Sequence, residues 1–399
     1  MKNNWQKVKL GDICGYSRSR IPISEVNLHN YVSTENLLKE RGGKIIAGKI
    51  PEQSNFYEYN KGCTLVSNIR PYFKKIWFAD IRGGCSNDVL VYTPNKGIND
   101  KWLYYLLSQD SFFDFVMSGA KGTKMPRGDK SQIMKFSVAL PPLDEQKKIA
   151  EILSALDDKI ELNNKINRNL EAQAQAIFKS WFIDFEPFKN GRFIDSELGK
   201  IPEGWRIDRL GSVCECVLGG TPSRSHKEYW EGNIPWINSG KTNEFRVISP
   251  SEFISDEALK KSATKFLPKK TTILAITGAT LGKVSLLEIG ACANQSVVGI
   301  LENDYLPYEY IYRYVSHNIE KIISHQTGGA QQHINKDNIK NFHIILPPKC
   351  ELKRYKIAVE HLYNEITTLA FQSRSLSQLR DTLLPKLMSG EINVSNIAV

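Results

Sequence analysis

The sequence predicts an α/β (α+β) protein with two homologous globular domains separated by two long helices, which pair as an antiparallel coiled coil with pseudo-two-fold symmetry. Three observations predict this fold. The chain repeats itself after about 200 residues, each copy begins with short β-rich runs, and each copy ends in a heptad pattern. The length of 399 residues suits two copies, because each is large enough for its own hydrophobic core.

The repeat rests on residues of the same type that recur in the same order. The matched pairs are Trp5 and Trp205, Leu10 and Leu210, Gly11 and Gly211, Cys14 and Cys214, and Phe136 and Phe342. Cys85-Ser-Asn-Asp88 is matched to Cys292-Ala-Asn-Gln295, and both copies contain Leu-Pro-Pro, at 140–142 and 346–348. Because the spacing drifts by only a few residues, the pattern indicates a duplicated unit with loop insertions.

Runs rich in β-branched and aromatic residues predict strands in the first part of each copy. These runs are 64–67 and 89–92 in the first copy, and 272–277, 296–301 and 342–346 in the second. Short helices are predicted at 101–118 and 307–324. The mixture predicts an α/β or α+β unit whose strand order the pattern leaves open.

After each Leu-Pro-Pro the side chains at alternating steps of four and three predict a helix–helix seam. The seam residues are Ile149, Leu153, Leu156, Ile160, Asn163, Asn167, Leu170, Ile177 and Trp181 in the first copy, and Tyr355, Val359, Leu362, Ile366, Leu369, Leu376, Leu383 and Leu387 in the second. Helices of about 40 residues would each be ~60 Å long. If a two-fold axis relates the copies, the helices run antiparallel. The alternative is that each helix packs separately on its own domain.

Two features interrupt the apolar seam. Asn163 and Asn167, with Ser373 nearby, predict a polar layer that sets the register of the helices at some expense of stability. Pro385 lies inside the second seam, so it is predicted to kink the second helix or end it early.

These patterns divide the chain into six segments. They are a globular domain at 1–142, a long helix at 143–186, a linker at 187–204, a second globular domain at 205–348, a second long helix at 349–390 and a tail at 391–399.

Composition excludes some classes of protein. The 53 Lys and Arg exceed the 43 Asp and Glu, and the net charge of +10 is compatible with a polyanionic partner without indicating one. No apolar run approaches the ~20 residues that span a membrane, and the first residues lack the apolar core of an export signal. Seven cysteines without a Cys-x-x-Cys pair predict reduced thiols and no zinc site. We therefore expect a cytoplasmic protein.

Several segments resemble the specificity subunits of type I restriction–modification systems. They are 141–153 (PPLDEQKKIAEIL), 178–185 (FKSWFIDF), 201–205 (IPEGW), 219–222 (GGTP), 229–230 (YW), 234–236 (IPW) and 294–295 (NQ). The resemblance covers essentially the whole chain, in the order recognition domain, helix, recognition domain, helix. The first copy departs from the family pattern, since it has 16–18 and 23–36 where the second has its Gly-Gly-Thr-Pro and Ile-Pro-Trp motifs.

The resemblance implies a DNA-binding subunit that is not itself an enzyme. Each target-recognition domain would read one half of a bipartite sequence in double-stranded DNA, while the helices form a spacer and a docking surface. The implied partners are two methyltransferase subunits, which modify adenine N6 with S-adenosylmethionine, and restriction subunits that use ATP and Mg. No cofactor would bind to this chain. The alternative is a coiled-coil scaffold whose globular domains bind protein or small ligands.

Motifs that suggest catalysis are incomplete. Neither Pro-Pro site has the preceding Asn or Asp and the following aromatic residue of an adenine methyltransferase loop. The segment 278–284 resembles a phosphate-binding loop through Lys283, but it is one residue short and ends in Val284, which has no hydroxyl group for magnesium. Glu145-Gln-Lys147 has nuclease-like spacing, yet it opens the first long helix.

Two loops in each copy carry residue types that contact DNA. Arg and Gln bond to base edges in a bidentate way, whereas Lys mostly contacts phosphates. The predicted contacts are Ser67, Asn68, Arg70, Lys74, Lys75, Lys121, Lys124 and Arg127 in the first copy, and Thr277, Thr280, Lys283, Gln331, Gln332 and His333 in the second. Arg224 and Lys241 are added from segments that resemble the family. For each residue the alternative is a solvated surface position.

Overall fold

The computed structural model describes residues 5–324 and 333–395. The chain forms two compact units, Met1–Ile160 with Ser375–Val399, and Glu161–Arg374. Two helices of 40 residues each, Leu143–Phe182 and Lys349–Met388, contribute to both units. Both helices begin directly after a Pro-Pro pair, where the fixed φ of proline suits the residues that precede a helix.

The first unit contains two four-stranded sheets and a two-stranded ladder. Its strands are β1 (Gln6–Lys9), β2 (Cys14–Tyr16), β3 (Arg20–Pro22), β4 (Tyr31–Val32), β5 (Asn55–Tyr59), β6 (Thr64–Ser67), β7 (Ile76–Phe78), β8 (Gly83–Cys85), β9 (Val89–Pro94) and β10 (Ser137–Leu140). Its helices are α1 (Leu10–Ile13), α2 (Asp100–Leu107), α3 (Asp110–Ser118), α4 (Lys130–Ile133) and the first part of α5 (Leu143–Phe182). The strand orders are β2-β9-β6-β7, β3-β5-β8-β4 and β1-β10.

The main core of the first unit joins the globular part to both long helices. Asn99 caps α2 by accepting a hydrogen bond from the backbone N–H of Trp102, whose side chain is buried in this core. Leu153 of α5 lies in the same core, together with Leu387 and Val394 from the C-terminal part of the chain. The first unit is therefore assembled from residues at both ends of the sequence.

The second unit repeats this design and adds a hairpin. Its strands are β11 (Phe193–Ser196), β12 (Gly199–Pro202), β13 (Arg206–Arg209), β14 (Cys216–Leu218), β15 (Ile234–Ile237), β16 (Glu252–Ile254), β17 (Phe266–Leu267), β18 (Thr272–Ala275), β19 (Val284–Leu286), β20 (Ala291–Ala293), β21 (Val297–Ile300) and β22 (His343–Leu346). Its helices are α6 (Leu210–Val213), α7 (Asp256–Lys261), α8 (Tyr308–His317), α9 (Ile319–Ile323), α10 (Lys336–Lys340) and the first part of α11 (Lys349–Met388). The hairpin β11–β12 lies in the segment predicted as a linker.

The duplication appears in the strand orders. The second unit has β14-β21-β18-β19, which matches β2-β9-β6-β7, and β13-β22, which matches β1-β10. In the other sheet, β4 runs parallel to β8 as β15 runs parallel to β20. The outer strands differ, because β3 extends the sheet beside β5 whereas β16 extends it beside β15. The segment where the first copy departs from the sequence pattern therefore changes the sheet edge and preserves its centre.

The hydrogen-bond ladders correct one part of the sequence alignment. Val89 and Val297 begin equivalent strands at equivalent ladder positions. Counting back from them, Cys85 corresponds to Ala293 and not to Cys292, so the predicted match of the two cysteines is wrong by one residue. The alignment by residue identity paired the two cysteines. Successive side chains of a strand point to opposite faces of the sheet, so the register of the hydrogen bonds decides which residues are equivalent.

The two long helices are antiparallel within each unit. In the first unit the Arg380 guanidinium contacts the Asp157 carboxylate at 2.7 Å. In the second, the rings of Phe182 and Tyr355 lie 4.8 Å apart, so late residues of α5 meet early residues of α11. The predicted mixed α/β class with a pair of long helices is confirmed, and the alternative of two separately packed helices is excluded.

Every predicted seam residue is buried or half-buried. The polar layer is present in the second unit, where Asn163 is fully buried and its Nδ2 donates to Oε1 of Gln372 at 2.8 Å. The Oδ1 atoms of Asn163 and Asn167 are buried and accept no hydrogen bond from the described residues. Each such oxygen lowers stability by about 1–3 kcal/mol relative to a paired one.

Replacing Asn163 and Asn167 together with Leu is expected to preserve or raise the melting temperature, because two unsatisfied oxygens are removed from the seam. The same change should loosen the register, since the bond to Gln372 is lost. Asn164→Leu, at an exposed position of α5, is the matched control and should leave both properties unchanged. Loss of folding in the double variant would show that these side chains do not belong to an apolar seam.

Pro385 does not end the second helix early, so that alternative of the prediction is wrong. The helix α11 continues past Pro385 to Met388, and the backbone N–H of Ser389 still donates to the Pro385 carbonyl at 3.0 Å. Proline lacks the N–H that would bond to the Asp381 carbonyl, but only one turn of helix follows it, so few later residues depend on the path of the helix at this point. The helix therefore ends one turn after the proline.

The cysteines are all free thiols, and only Cys350 is exposed. Within 5–324 and 333–395, no cluster of three or more His, Cys, Asp or Glu side chains is arranged to hold a metal ion. The same residues include no helix that is both long enough and apolar enough to cross a lipid bilayer.

Candidate nucleic-acid interface

Two loops that are distant in the sequence meet in the first unit. The turn loop, residues 68–75, connects β6 to β7, and the basic loop, residues 119–129, precedes α4. Ile69 forms an antiparallel bridge with Arg127, and the backbone N–H of Arg70 donates to the Pro126 carbonyl at 2.8 Å. The structure therefore brings together the two groups of residues that the sequence singled out separately.

The second unit joins its equivalent loops in the same way. Thr277 forms an antiparallel bridge with His333, and the backbone N–H of Ile334 donates to the Ile276 carbonyl at 3.1 Å. Gln331 and Gln332 lie outside the described residues, so their predicted base contacts stay predictions. Both units thus place the turn after the first central strand beside the segment before the last strand.

Three of the predicted contact residues build the turn loop from within. Ser67 and Asn68 are buried; the Ser67 hydroxyl donates to the Ile69 carbonyl at 3.1 Å, and the Asn68 side-chain amide donates to the Gly128 carbonyl at 3.2 Å. Lys75 donates to the Thr34 carbonyl, and burial lowers the pKa of its ammonium group. These side chains position the loop and expose little surface for contact with a ligand.

Arg70 and Lys74 flank a short turn in left-handed conformations, with φ of 50° and 49°. Such φ values strain non-glycine residues, and strained backbone is concentrated at functional sites. The Lys74 ammonium lies 2.8 Å from the Asp110 carboxylate and, by hydrogen bonding, lowers the pKa of that carboxyl group. Arg70 is half-buried and its Nε has no hydrogen-bond partner among the described residues.

The basic loop carries the most accessible cations. The Lys121 side chain is 83% exposed and contacts Asp129 at 3.0 Å, while that of Arg127 is 58% exposed and contacts Asp88 at 3.2 Å. Lys124 is exposed as well. The exposed Lys121–Asp129 pair contributes little to stability, so a phosphate can replace this carboxylate at small cost. These three residues are the best placed of the predicted contacts in the first unit.

The segment 278–284 is a β-hairpin turn in the second unit. The backbone N–H groups of Leu281 and Gly282 donate to the carbonyls of Gly278 and Ala275, and the strand β19 follows directly. A nucleotide-binding loop instead turns its amides toward phosphates and leads into a helix. The turn therefore excludes that interpretation. Lys283 is exposed and the side chains of Thr277 and Thr280 are half-buried, which suits contacts with a DNA backbone.

Arg224 and Lys241 are engaged in contacts within the second unit. Both terminal nitrogens of Arg224 donate to Glu252, at 2.6 and 2.7 Å, and its guanidinium lies 3.4 Å from the ring centre of Trp230. Lys241 donates to Glu244 at 2.7 Å, and its side chain is 18% exposed. Both side chains therefore stabilise their loops in this structure.

The sequence prediction omitted a third loop, which follows β8 in the first unit and β20 in the second. It places Asp88 against Arg127, and it places Gln295 where its side-chain oxygen accepts a hydrogen bond from Thr221. A Cβ atom on Gly219 would lie 2.2 Å from the Asn294 carbonyl oxygen, so this close approach requires glycine. The sequence motifs 219–222 and 294–295 could have indicated this loop. Only the fold shows that the two motifs lie close together.

The arrangement defines a class of protein. Each unit presents hydroxyl and cationic side chains on joined loops, and such side chains are the ones that contact the backbone and base edges of nucleic acid. The chain matches the family model for the type I restriction modification DNA specificity domain twice, over residues 2–172 and 202–372. The chain therefore belongs to this family.

Characterised relatives are similar over nearly the whole chain. The type I restriction enzyme MjaIX specificity subunit of Methanocaldococcus jannaschii is 28% identical over 410 residues, which cover 98% of this chain and 94% of the relative. The HindI specificity subunit of Haemophilus influenzae is 25% identical over 461 residues, covering 98% and 100%. The solved S subunit of a type I system from M. genitalium shares the fold, with a TM-score of 0.58, 16% identity and 96% coverage of each chain.

Proposed function

We infer that this chain is the DNA-specificity subunit of a type I restriction–modification system and is not itself an enzyme. The observation that carries this inference is the twofold family match, which coincides with two units that join equivalent loops in the same way. Each unit would recognise one half of a bipartite sequence in double-stranded DNA. The scaffold alternative, in which the globular domains bind protein or small ligands, is not favoured because the family is one of DNA specificity domains.

The exposed cations of the joined loops are the proposed DNA contacts: Lys121, Lys124 and Arg127 in the first unit, and Lys283 in the second. Gln331 and Gln332 are added from the sequence alone. Lysines would hold phosphates and supply the dependence of affinity on salt, whereas Arg and Gln would contact base edges. The conformation of the turn loop is stabilised by Ser67, Asn68 and Lys75, as their burial and internal hydrogen bonds indicate.

The long helices are the proposed docking surface for two methyltransferase subunits. Ile357 is 67% exposed and Leu162 is 48% exposed in the second unit, although the remaining outer surface of both helices is mainly polar. Exposed aliphatic side chains among polar ones are typical of protein contacts. Restriction subunits would join the same assembly. S-adenosylmethionine, ATP and Mg would be bound by these partners, in the cytoplasm.

Exchanging residues 205–348 for the equivalent domain of a family member with another specificity tests this function. The chain and its hybrid are each expressed with the cognate methyltransferase, and methylated adenines are mapped across the genome. The unaltered chain is expected to direct methylation to a split sequence with a fixed gap. The hybrid is expected to change only one half of that sequence, because each unit has its own core and its own loops.

The reciprocal exchange of residues 1–142 is the matched control, and it should change the other half. Methylation altered on both halves by either exchange would contradict independent recognition. Active methyltransferase with no dependence on this chain would contradict the function itself.

A further inference from the structure

Arg127 is held in place more firmly than its exposure suggests. Its backbone N–H donates to the Lys121 carbonyl and its carbonyl accepts from the Lys121 N–H, both at 2.9 Å. It also forms the bridge to Ile69 that joins the basic loop to the turn loop. Two neighbouring segments therefore hold the backbone of Arg127, from which the side chain extends.

The partner of Arg127 is positioned by the same framework. Asp88 contacts the Arg127 guanidinium through Oδ1 at 3.2 Å, and the carbonyl of Asp88 accepts a hydrogen bond from the Asn68 N–H at 2.8 Å. The Asn68 side chain also holds the Gly128 carbonyl, next to Arg127. One buried asparagine thus ties together the backbones on both sides of the ion pair.

This geometry suits the reading of one particular base. A guanidinium has five N–H donors, so a contact with one carboxylate leaves donors for the O6 and N7 atoms of guanine. A side chain whose backbone and ion-pair partner are already positioned loses less entropy on binding than one on a mobile loop. Asp88 accepts but does not donate when ionised, so it disfavours phosphate beside the same guanidinium. The pair therefore favours a base edge over a phosphate.

The second unit has different chemistry at the same place. In the ladder register that aligns Val89 with Val297, Asp88 corresponds to Ser296, and the equivalent bridge places His333 where the first unit has Arg127. An Arg–Asp pair is thus specific to the first unit. Positions that keep their backbone role while their side chains differ are suited to determine which sequence each unit reads.

We propose that Arg127, oriented by Asp88, reads a guanine in the half-site that the first unit recognises. The proposal rests on the proposed function and assigns a specificity-determining residue to one of its two half-sites. Lys121, on the same loop, contacts phosphate and contributes affinity without sequence preference.

The test uses the full chain assembled with its methyltransferase subunits and duplexes that contain the mapped methylation sequence. Each guanine of the first half-site is replaced in turn by 7-deazaguanine, which lacks the N7 acceptor but retains Watson–Crick pairing. For the unaltered assembly, one replacement is expected to weaken binding roughly tenfold or more. The assembly with Arg127→Ala should bind more weakly and should not respond to that replacement, because no donor to N7 remains.

Lys121→Ala is the matched variant, and it should weaken binding to all duplexes by the same factor and reduce the salt slope by about one. Thermal unfolding of the Arg127→Ala variant monitors folding of the first unit, which has its own core. The proposal is overturned if Arg127→Ala keeps the 7-deazaguanine response, or if the first half-site has no guanine. An unaltered assembly that binds no duplex would refute the proposed function, and this proposal with it.

Discussion

Replacing Glu171 with Ala is expected to lower the free energy of unfolding of the second unit by about 3–5 kcal/mol, because the buried Arg313 loses its carboxylate partner and the buried Arg246 keeps only Glu288, at 3.6 Å. The Glu171 carboxylate on α5 lies 2.8 Å from the guanidinium groups of both Arg246 and Arg313, whose side chains are almost completely buried. The Tyr312 hydroxyl donates to the same carboxylate at 3.1 Å. Denaturant unfolding monitored for this unit measures the effect.

Glu161→Ala is the matched control on the same helix. Glu161 forms an exposed pair with Lys165, four residues later, and such pairs contribute only ~0.3–0.5 kcal/mol. The two variants remove the same chemical group and differ in burial of the partner. A Glu171 variant as stable as the Glu161 variant would contradict the structural role of this network.

The second large expected effect is a change in the stability of the fold with pH, caused by Glu309. Glu309 is completely buried in α8, and neither carboxylate oxygen has a hydrogen-bond partner among the described residues. Burial raises its pKa to about 7; the nearby Lys356 opposes the shift and Glu302 adds to it. The folded protein therefore binds this proton more tightly than the unfolded chain. The carboxyl group is tolerated at low pH and destabilises the fold by ~3 kcal/mol once pH exceeds 7.

Glu309→Gln is accordingly expected to raise the melting temperature at pH 8 and to leave it nearly unchanged at pH 5. Thermal unfolding at intervals between these values measures where the two proteins diverge. Glu320→Gln, at an exposed position of the neighbouring helix α9, should retain the pH profile of the unaltered chain. Parallel profiles for Glu309→Gln and the unaltered chain would show that the buried carboxyl group does not titrate in this range.

Patterns among neighbouring residues predicted helices and strands, because the local sequence largely determines these elements. The run that begins at Val89 and the run that begins at Thr272 are strands, because β-branched residues bounded by turns suit buried sheet positions. The helices begin at Leu143 and Lys349, directly after Pro-Pro. The seam was predictable because a heptad pattern of burial follows from helix geometry alone.

Long-range contacts explain what the sequence left open. Ser67 and Asn68 have the composition of a DNA contact, but a partner 60 residues away turns the Asn68 amide inward. The Asp88–Arg127 pair and the Glu171 network likewise join segments that are distant in the chain. Single-sequence periodicity carries no information about such pairs. The sequence singled out the two loops separately, whereas their meeting and the role of each side chain required the fold.

The composition of the first unit has a consequence for synthesis of the protein on the ribosome. The second unit, Glu161–Arg374, is continuous in the chain, so all of its core is synthesised before residues 375–399. The first unit cannot complete its core until Leu384, Leu387 and Val394 arrive. Although it begins first, the N-terminal unit completes its core after the second unit, and its apolar surface stays exposed until residues 384–394 have been synthesised.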